Sequence, residues 1–326
     1  MTQTLAVVER LPGHTEVMGG FASLALELGF DTHLLFNSDD RFHMVEYFRT
    51  RIPIAADHIH DWSHITNPSS HFDVILLNTS CVWLDYRPVL QHWNAKKRLI
   101  VVHHHPEDIE LNPYGTSVYL TPAADKERWI FPLYSKAGAG DLGSESALLS
   151  HRDATDLPTL TAIGSLQGKD VAGVLGYMEA GGKLVHYDRH RCDYFLANDG
   201  LYTQHIGLSG IQLMTALAQQ EEPIFLWLPI ATESDYMVSR FTGALTLGVD
   251  RNCILIMPER LRKLYGLPEP AVITYETSVT EAQCLENLRA SPAKQHERRK
   301  HLRLWAIEQW HKNLSVFQTL LGRRAA

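Results

Sequence analysis

Four short stretches of this chain combine glycine, hydroxyl, histidine or basic residues, the first three of them following apolar runs. The first is Gly13-His14-Thr15-Glu16, continuing to Gly19-Gly20, behind the run Leu5-Ala6-Val7-Val8. Glycines let backbone approach a ligand closely, and a helix that follows offers free N–H groups to an anion. An imidazole titrates near neutral pH, which makes His14 a candidate general base. The second stretch is His103-His104-His105-Pro106-Glu107-Asp108, behind Leu99-Ile100-Val101-Val102. Three consecutive histidines point in different directions and the helical HExxH arrangement is absent, so a metal site is not expected. His104 and His105 are instead candidates for lining a cleft. The third is Gly164-Ser165-Leu166-Gln167-Gly168-Lys169-Asp170. Gly164 and Ser165 allow close approach and Lys169 suits a phosphate, but GxxxxGK[ST] is missing and this is no P-loop. The fourth is Ser239-Arg240-Phe241-Thr242-Gly243. Hydroxyls and a glycine open a helix beside an arginine, a ready diphosphate site. None of the four carries the GxGxxG spacing with its acidic ribose contact, which disfavours a nicotinamide dehydrogenase.

The elements that hold these stretches alternate between strand-like and helix-like. Strands are expected over 5–8, 32–36, 73–78, 99–103 and 118–121. Helices are expected up to about Leu28, stopping at Gly29, and over 42–51. The pattern lapses between about Tyr134 and Pro158, where Ala137-Gly138-Ala139-Gly140-Asp141-Leu142-Gly143-Ser144 has linker composition. It resumes with strands over 159–163, 183–187, 224–228, 253–257 and 272–275. Helices are expected there over 170–180, 205–219, 242–249 and 280–289. Such alternation implies parallel βαβ units buried on both faces. From about Ala293, Ile307, Trp310, Leu314, Phe317 and Leu321 recur at helical steps and predict one long docked helix. The expected organisation is a first domain over 1–150, a second over 151–290, and a helix over 291–326 packing back on the domains.

Composition bounds the function. The chain has 326 residues, a net charge of -7, 45% hydrophobic residues and four cysteines. That excludes a disordered chain and is long enough for two domains. Cys81, Cys192, Cys253 and Cys284 show no CxxC pair, so no cysteine zinc site or redox dithiol is expected. Cys253, inside an apolar run, should pack as a small hydrophobe. Few, scattered cysteines, no signal peptide and no membrane-length apolar run predict a cytoplasmic protein. Eight basic residues against two acids give the segment 291–326 a charge of +6, leaving -13 elsewhere. A whole-surface nucleic-acid binder is therefore disfavoured, while a local contact with an anionic partner, nucleic acid or lipid, remains an alternative.

The run from Phe241-Thr242-Gly243-Ala244-Leu245-Thr246-Leu247 to Ile256-Met257-Pro258-Glu259 resembles the C-terminal half of GT-B glycosyltransferases. Leu264-Tyr265-Gly266 and Thr274-Tyr275-Glu276 fit the same layout. Thr161-Ala162-Ile163-Gly164 resembles the first strand of their nucleotide-binding domain, and Gly13 to Gly20 their acceptor-side glycine loop. The resemblance implies two Rossmann-like α/β domains facing across a cleft, with a long C-terminal helix. It implies transfer of a hexosyl or pentosyl group from a nucleotide sugar to an unknown acceptor. The nucleotide sugar would be a substrate, with no cofactor and no metal. Gly164, Ser165 and Lys169 would lie near the nucleotide, and Arg240, Thr242 and Gly243 would hold the diphosphate. Gly13, Gly19, Gly20, His104 and His105 would line the acceptor side. His14 would be the base in an inverting reaction and would position the acceptor in a retaining one. A nucleotide-sugar epimerase of the same fold, or a non-catalytic scaffold, are the alternatives.

Overall fold

The computed structural model describes residues 2–10, 15–36, 44–62, 65, 68–79, 87–96, 98–104, 114–136, 157–195, 200–220, 223–229, 243–288 and 292–322. They form two compact units. Among the described residues, the first holds those up to Lys136, Gly243, and 308–322, and the second holds 157–229 and Ala244–Ile307, so Gly243, which opens α6, belongs to the first. The expected boundary at 150 lies outside the described residues.

In the first unit the chain runs β1 (Thr4–Glu9), α1 (Thr15–Glu27), β2 (Asp31–Phe36), α2 (Met44–Arg51), β3 (Ile59–Asp61), β4 (Val74–Leu77), α3 (Arg87–Lys96), β5 (Arg98–His103) and β6 (Thr116–Tyr119). The strands lie in the order β3-β2-β1-β4-β5-β6 and every pair is parallel. Leu5, Ala6, Val7 and Val8 are all fully buried, because parallel sheets are covered on both faces and their central strands cannot alternate. Ala6, Val8, Leu35, Ile75, Leu77 and Val101 line one face with Phe72, Leu90 and Trp93 over them.

The second unit repeats this plan. It runs β7 (Leu160–Ile163), α4 (Ala172–Glu179), β8 (Leu184–Asp188), β9 (Tyr202–Ile206), α5 (Gly210–Ala218), β10 (Phe225–Trp227), α6 (Gly243–Asp250), β11 (Ile254–Pro258), α7 (Glu259–Tyr265), β12 (Val272–Tyr275) and α8 (Ser278–Glu286). The order is β12-β11-β10-β7-β8-β9, again all parallel. Counting strands within each unit, both sheets read 3-2-1-4-5-6, the Rossmann order. The last helix, α9 (Pro292–Leu320), contributes to both units.

One expectation needs correction, and two strands were not expected. Residues 205–219 are not one helix: β9 ends at Ile206 and α5 starts at Gly210, where the Ser209 hydroxyl accepts from the Gln212 amide at 3.2 Å. β9 is an edge strand of Tyr-Thr-Gln-His-Ile with no fully buried residue, so it lacks the apolar signature of the inner strands. β3, three half-buried residues at the equivalent edge of the first sheet, gives no apolar run either. Cys253 is buried, as its setting predicts.

Candidate functional site

In a sheet of this order, ligands bind beyond the carboxyl ends of the strands where the order reverses. That point falls between β1 and β4 in the first unit and between β7 and β10 in the second.

In the second unit β7 ends at Ile163 and the chain turns at Gly164, whose φ of +90° suits glycine. A side chain there would meet nothing within 4 Å, so the Cα face is open. The turn is held from below. The buried His186 of β8 donates from Nε2 to the Gly164 carbonyl at 2.9 Å, and its Nδ1 accepts from the Tyr202 hydroxyl at 2.9 Å. A carbonyl can only accept, which assigns the proton to Nε2. Burial lowers the His186 pKa and keeps the ring neutral. Beyond the turn, the exposed Ser165 accepts from the Gln167 amide at 3.2 Å, and Leu166 is buried as the anchor of the loop. The Lys169 amide donates to the Leu166 carbonyl at 3.1 Å, and the Asp170 carboxylate accepts from the Ala172 amide at the start of α4.

A buried carboxyl lies under the first turn of α4. Glu281 of α8 is fully buried and accepts from the Trp227 indole at 2.6 Å, while a Cβ on Gly173 would come within 2.4 Å of its carboxyl oxygen. Burial pushes its pKa up to about 7, against the opposing hydrogen bond from Trp227. The Tyr275 hydroxyl donates to the Leu228 carbonyl at 2.5 Å, so β12 and α8 together fix the carboxyl end of β10. α6 follows, starting at Gly243. It is seated tightly, since a Cβ on Gly248 would fall 2.4 Å from Leu226.

In the first unit the reversal point holds another buried carboxyl. Glu9 ends β1 with 1% exposure and accepts from Asn78 Nδ2 at 2.7 Å and Thr79 Oγ1 at 2.5 Å. His104, just after β5, places Nε2 3.3 Å from the Thr79 hydroxyl and 3.2 Å from the Asn78 carbonyl. The Thr79 proton is committed to Glu9, so both neighbours of Nε2 accept and the imidazole proton sits there. Glu9, Thr79 and His104 thus form a directed chain that orients the ring. His103 faces the other way. It is fully buried against Ser117, and burial lowers its pKa to about 4.

Of the residues singled out in sequence, Gly164, Ser165 and Lys169 share one loop, Gly243 opens α6, and His104 joins the Glu9 chain. Gly19 and Gly20 are buried in α1. A Cβ there would come 2.0 Å from Tyr134 and 2.6 Å from the Pro132 backbone, so close packing accounts for both glycines. Gly13, His14, His105, Arg240 and Thr242 lie outside the described residues. Glu9, Asn78, Thr79, His186, Tyr202 and Glu281 were missed. The signal for Glu9 and Asn78 was present: each is a polar residue closing a buried apolar strand. Among the described residues, neither reversal point gathers three metal-ligating side chains.

No family model and no curated protein matches the chain in sequence. Solved structures match in fold. A structure of Anabaena Alr3699/HepE in complex with UDP and glucose aligns with a TM-score of 0.61 at 11% identity, over 98% of this chain and all of that one. AviGT4, a glycosyltransferase involved in avilamycin A biosynthesis, aligns at 0.57 and 15% identity over 98% of both chains. The Methanocaldococcus jannaschii UDP-GlcNAc 2-epimerase in complex with UDP-GlcNAc and UDP aligns at 0.50 and 9% identity, over 90% of this chain and 98% of that one. The fold is GT-B, built from two Rossmann-like domains.

Proposed function

We propose that the chain is a glycosyltransferase that moves a hexosyl or pentosyl group from a nucleoside-diphosphate sugar to an acceptor. The observation that carries this reading is the Gly164 loop. It is an open, preorganised turn at the reversal point of the second sheet, in a fold whose solved examples include complexes with UDP. Gly164 and Ser165 let the nucleotide approach, and Lys169 supplies charge to its phosphates. Gly243 at the start of α6, with Arg240 and Thr242 just before it, holds the diphosphate. As the acceptor oxygen bonds to the anomeric carbon, the bond from that carbon to the diphosphate breaks and negative charge gathers on the leaving group. Fixed donors there stabilise the transition state more than the ground state. On the first unit, His14 is the candidate base, and His104, oriented by Thr79 and Glu9, is the candidate to hold an acceptor hydroxyl. Domains over 1–150 and 151–290 would divide acceptor and donor binding in this way.

Thermal unfolding against a panel of nucleoside diphosphates and nucleotide sugars tests this. A ligand at a hundred times its Kd stabilises by about 2.7 kcal/mol, so the matching donor should raise Tm by roughly 4 °C. The rise should vanish in Arg240→Ala and shrink in Lys169→Ala. No rise with any donor at millimolar concentration would defeat the proposal. The epimerase likeness makes a second reading worth separating. Incubation with the nucleotide sugar alone yields an epimer in that case, and nothing but slow hydrolysis in the transferase case.

A further inference from the structure

We infer that the first unit carries a binding site for a divalent transition-metal ion of the zinc type, formed by Asp31, His33 and His58 at the amino-terminal edge of its sheet. The donor atoms of these three side chains all lie within 4.8 Å of one another. His33 Nε2 is 3.6 Å and His58 Nδ1 is 3.4 Å from the same oxygen, Asp31 Oδ1. Those gaps exceed a good N–H···O hydrogen bond, at about 2.7–3.2 Å. They match the spacing between ligands on one tetrahedral ion, about 3.3 Å for bonds of 2.0–2.1 Å. The Thr32 carbonyl stands 3.2 Å from His58 Nδ1, and the fourth position on a tetrahedral ion would fall to water.

The outer surroundings fit a metal-bound histidine. When Nε2 of His33 ligates, its Nδ1 must carry the proton, and His60 Nε2 waits 3.1 Å away to accept it. Such an outer partner fixes the tautomer and raises ligand basicity. The Phe72 ring lies 5.0 Å from His33 and shields that side. His58 now hydrogen-bonds Thr32 through Nδ1. Ligation requires the tautomer with the proton on Nε2, and the His58 side chain is 30% exposed, so that proton can face water. The His33 and His58 rings stack at 4.0 Å between centroids and 20° between planes. An ion must lie in the plane of each imidazole that binds it, so the half-exposed His58 ring has to turn out of this stack to ligate. Two imidazoles and one carboxylate suit Zn²⁺ and its neighbours, not Mg²⁺ or Ca²⁺, which prefer all-oxygen shells.

The site lies away from the reversal point. Asp31 pairs with Thr4 at the start of β1, while Glu9 ends it, roughly 17 Å on at ~3.3 Å per residue. The ion would tie the short edge strand β3 and the turn before it to β2, as a structural clasp.

The test uses the full chain after dialysis against EDTA, titrated with ZnCl₂ or CoCl₂ alone. The wild type should take up one equivalent of Zn²⁺ with a rise in Tm, and Co²⁺ should give the intense visible bands of a four-coordinate complex. His58→Ala and Asp31→Asn should each lose tenfold or more in affinity, and His60→Ala about tenfold. His301→Ala, on α9, should change nothing. MgCl₂ should not compete. Absence of one-equivalent Zn²⁺ uptake by the wild type overturns the inference whatever the variants do. So does uptake that survives His58→Ala unchanged, or a weak six-coordinate Co²⁺ spectrum.

Discussion

Glu281 is the side chain whose ionisation most directly reports on folding of the second unit. Its carboxyl pKa stands at about 7 because burial disfavours the charged form. The folded state therefore holds a proton that the unfolded chain releases near pH 4.5. Where the folded state binds more protons, stability falls as pH rises. The stabilisation is complete below pH 4.5 and is lost through pH 7, amounting to about 3 kcal/mol at one pKa unit per 1.36 kcal/mol. Glu281→Gln keeps an acceptor for Trp227 and carries no charge, so its Tm should be flatter between pH 5 and 8 and should exceed wild type at pH 8. A wild-type Tm that rises over that range would refute the assignment. The same contrast shows which residues sequence can disclose. Gly164 and Lys169 declare themselves because a turn after an apolar strand is a local signal. Glu9 finds Asn78 and Thr79 about seventy positions away, and Glu281 finds Trp227 fifty-four positions away, so no local spacing encodes either pair.

Elements were legible in proportion to their burial. β1, β7 and β11 are buried along almost their whole length and were read within a residue or two, whereas the edge strands β3 and β9 have no fully buried residue and were missed. The helix α9 shows a subtler limit. Of its stripe of Ile307, Trp310, Leu314, Phe317 and Leu321, Trp310, Phe317 and Leu321 are buried while Ile307 and Leu314 are only half-buried, and Gln309 and Asn313 are buried beside them. Asn313 donates to the Phe131 carbonyl at 2.6 Å, and its Oδ1 accepts from the Phe131 amide at 3.2 Å and from Gln309 at 2.8 Å. A polar residue in an apolar stripe reads as an interruption, while here it completes the stripe by satisfying backbone. Asn313→Leu should cost about 2–4 kcal/mol, since both side-chain bonds to a buried peptide are lost. Urea unfolding would measure it, and a cost under 0.5 kcal/mol would show that water replaces both bonds. The basic residues of α9 divide similarly. Arg299 is buried and donates to the Asn252 carbonyl at 3.0 Å, so it is withdrawn from any surface contact with an anion.

At the scale of the molecule, alternation of strand and helix made the α/β class legible, but strand order did not follow from it. Among the described residues each unit has six strands, and the 3-2-1-4-5-6 arrangement emerges from crossovers that no local pattern records. Membership of the units is also discontinuous, since residues from Glu308 onward complete the first one. Trp310, Asn313, Phe317, Leu320 and Leu321 are all buried, and Phe317 lies 6.3 Å from Phe21 of α1. The four apolar side chains among them, at ~1.5–3 kcal/mol each, rival the ~5–15 kcal/mol total stability of a domain. A chain stopped after Ile307 should leave the first unit unfolded, read as loss of hydrogen-exchange protection across β1. Persistent protection there would show that the sheet stands without them. The discontinuity also sets a clock on biosynthesis. At ~5–20 residues per second, a ribosome needs roughly 10 to 35 s to travel from Lys136 to Glu308. Throughout that interval the nascent first unit waits with an uncovered apolar face, a natural client for chaperones that act during translation.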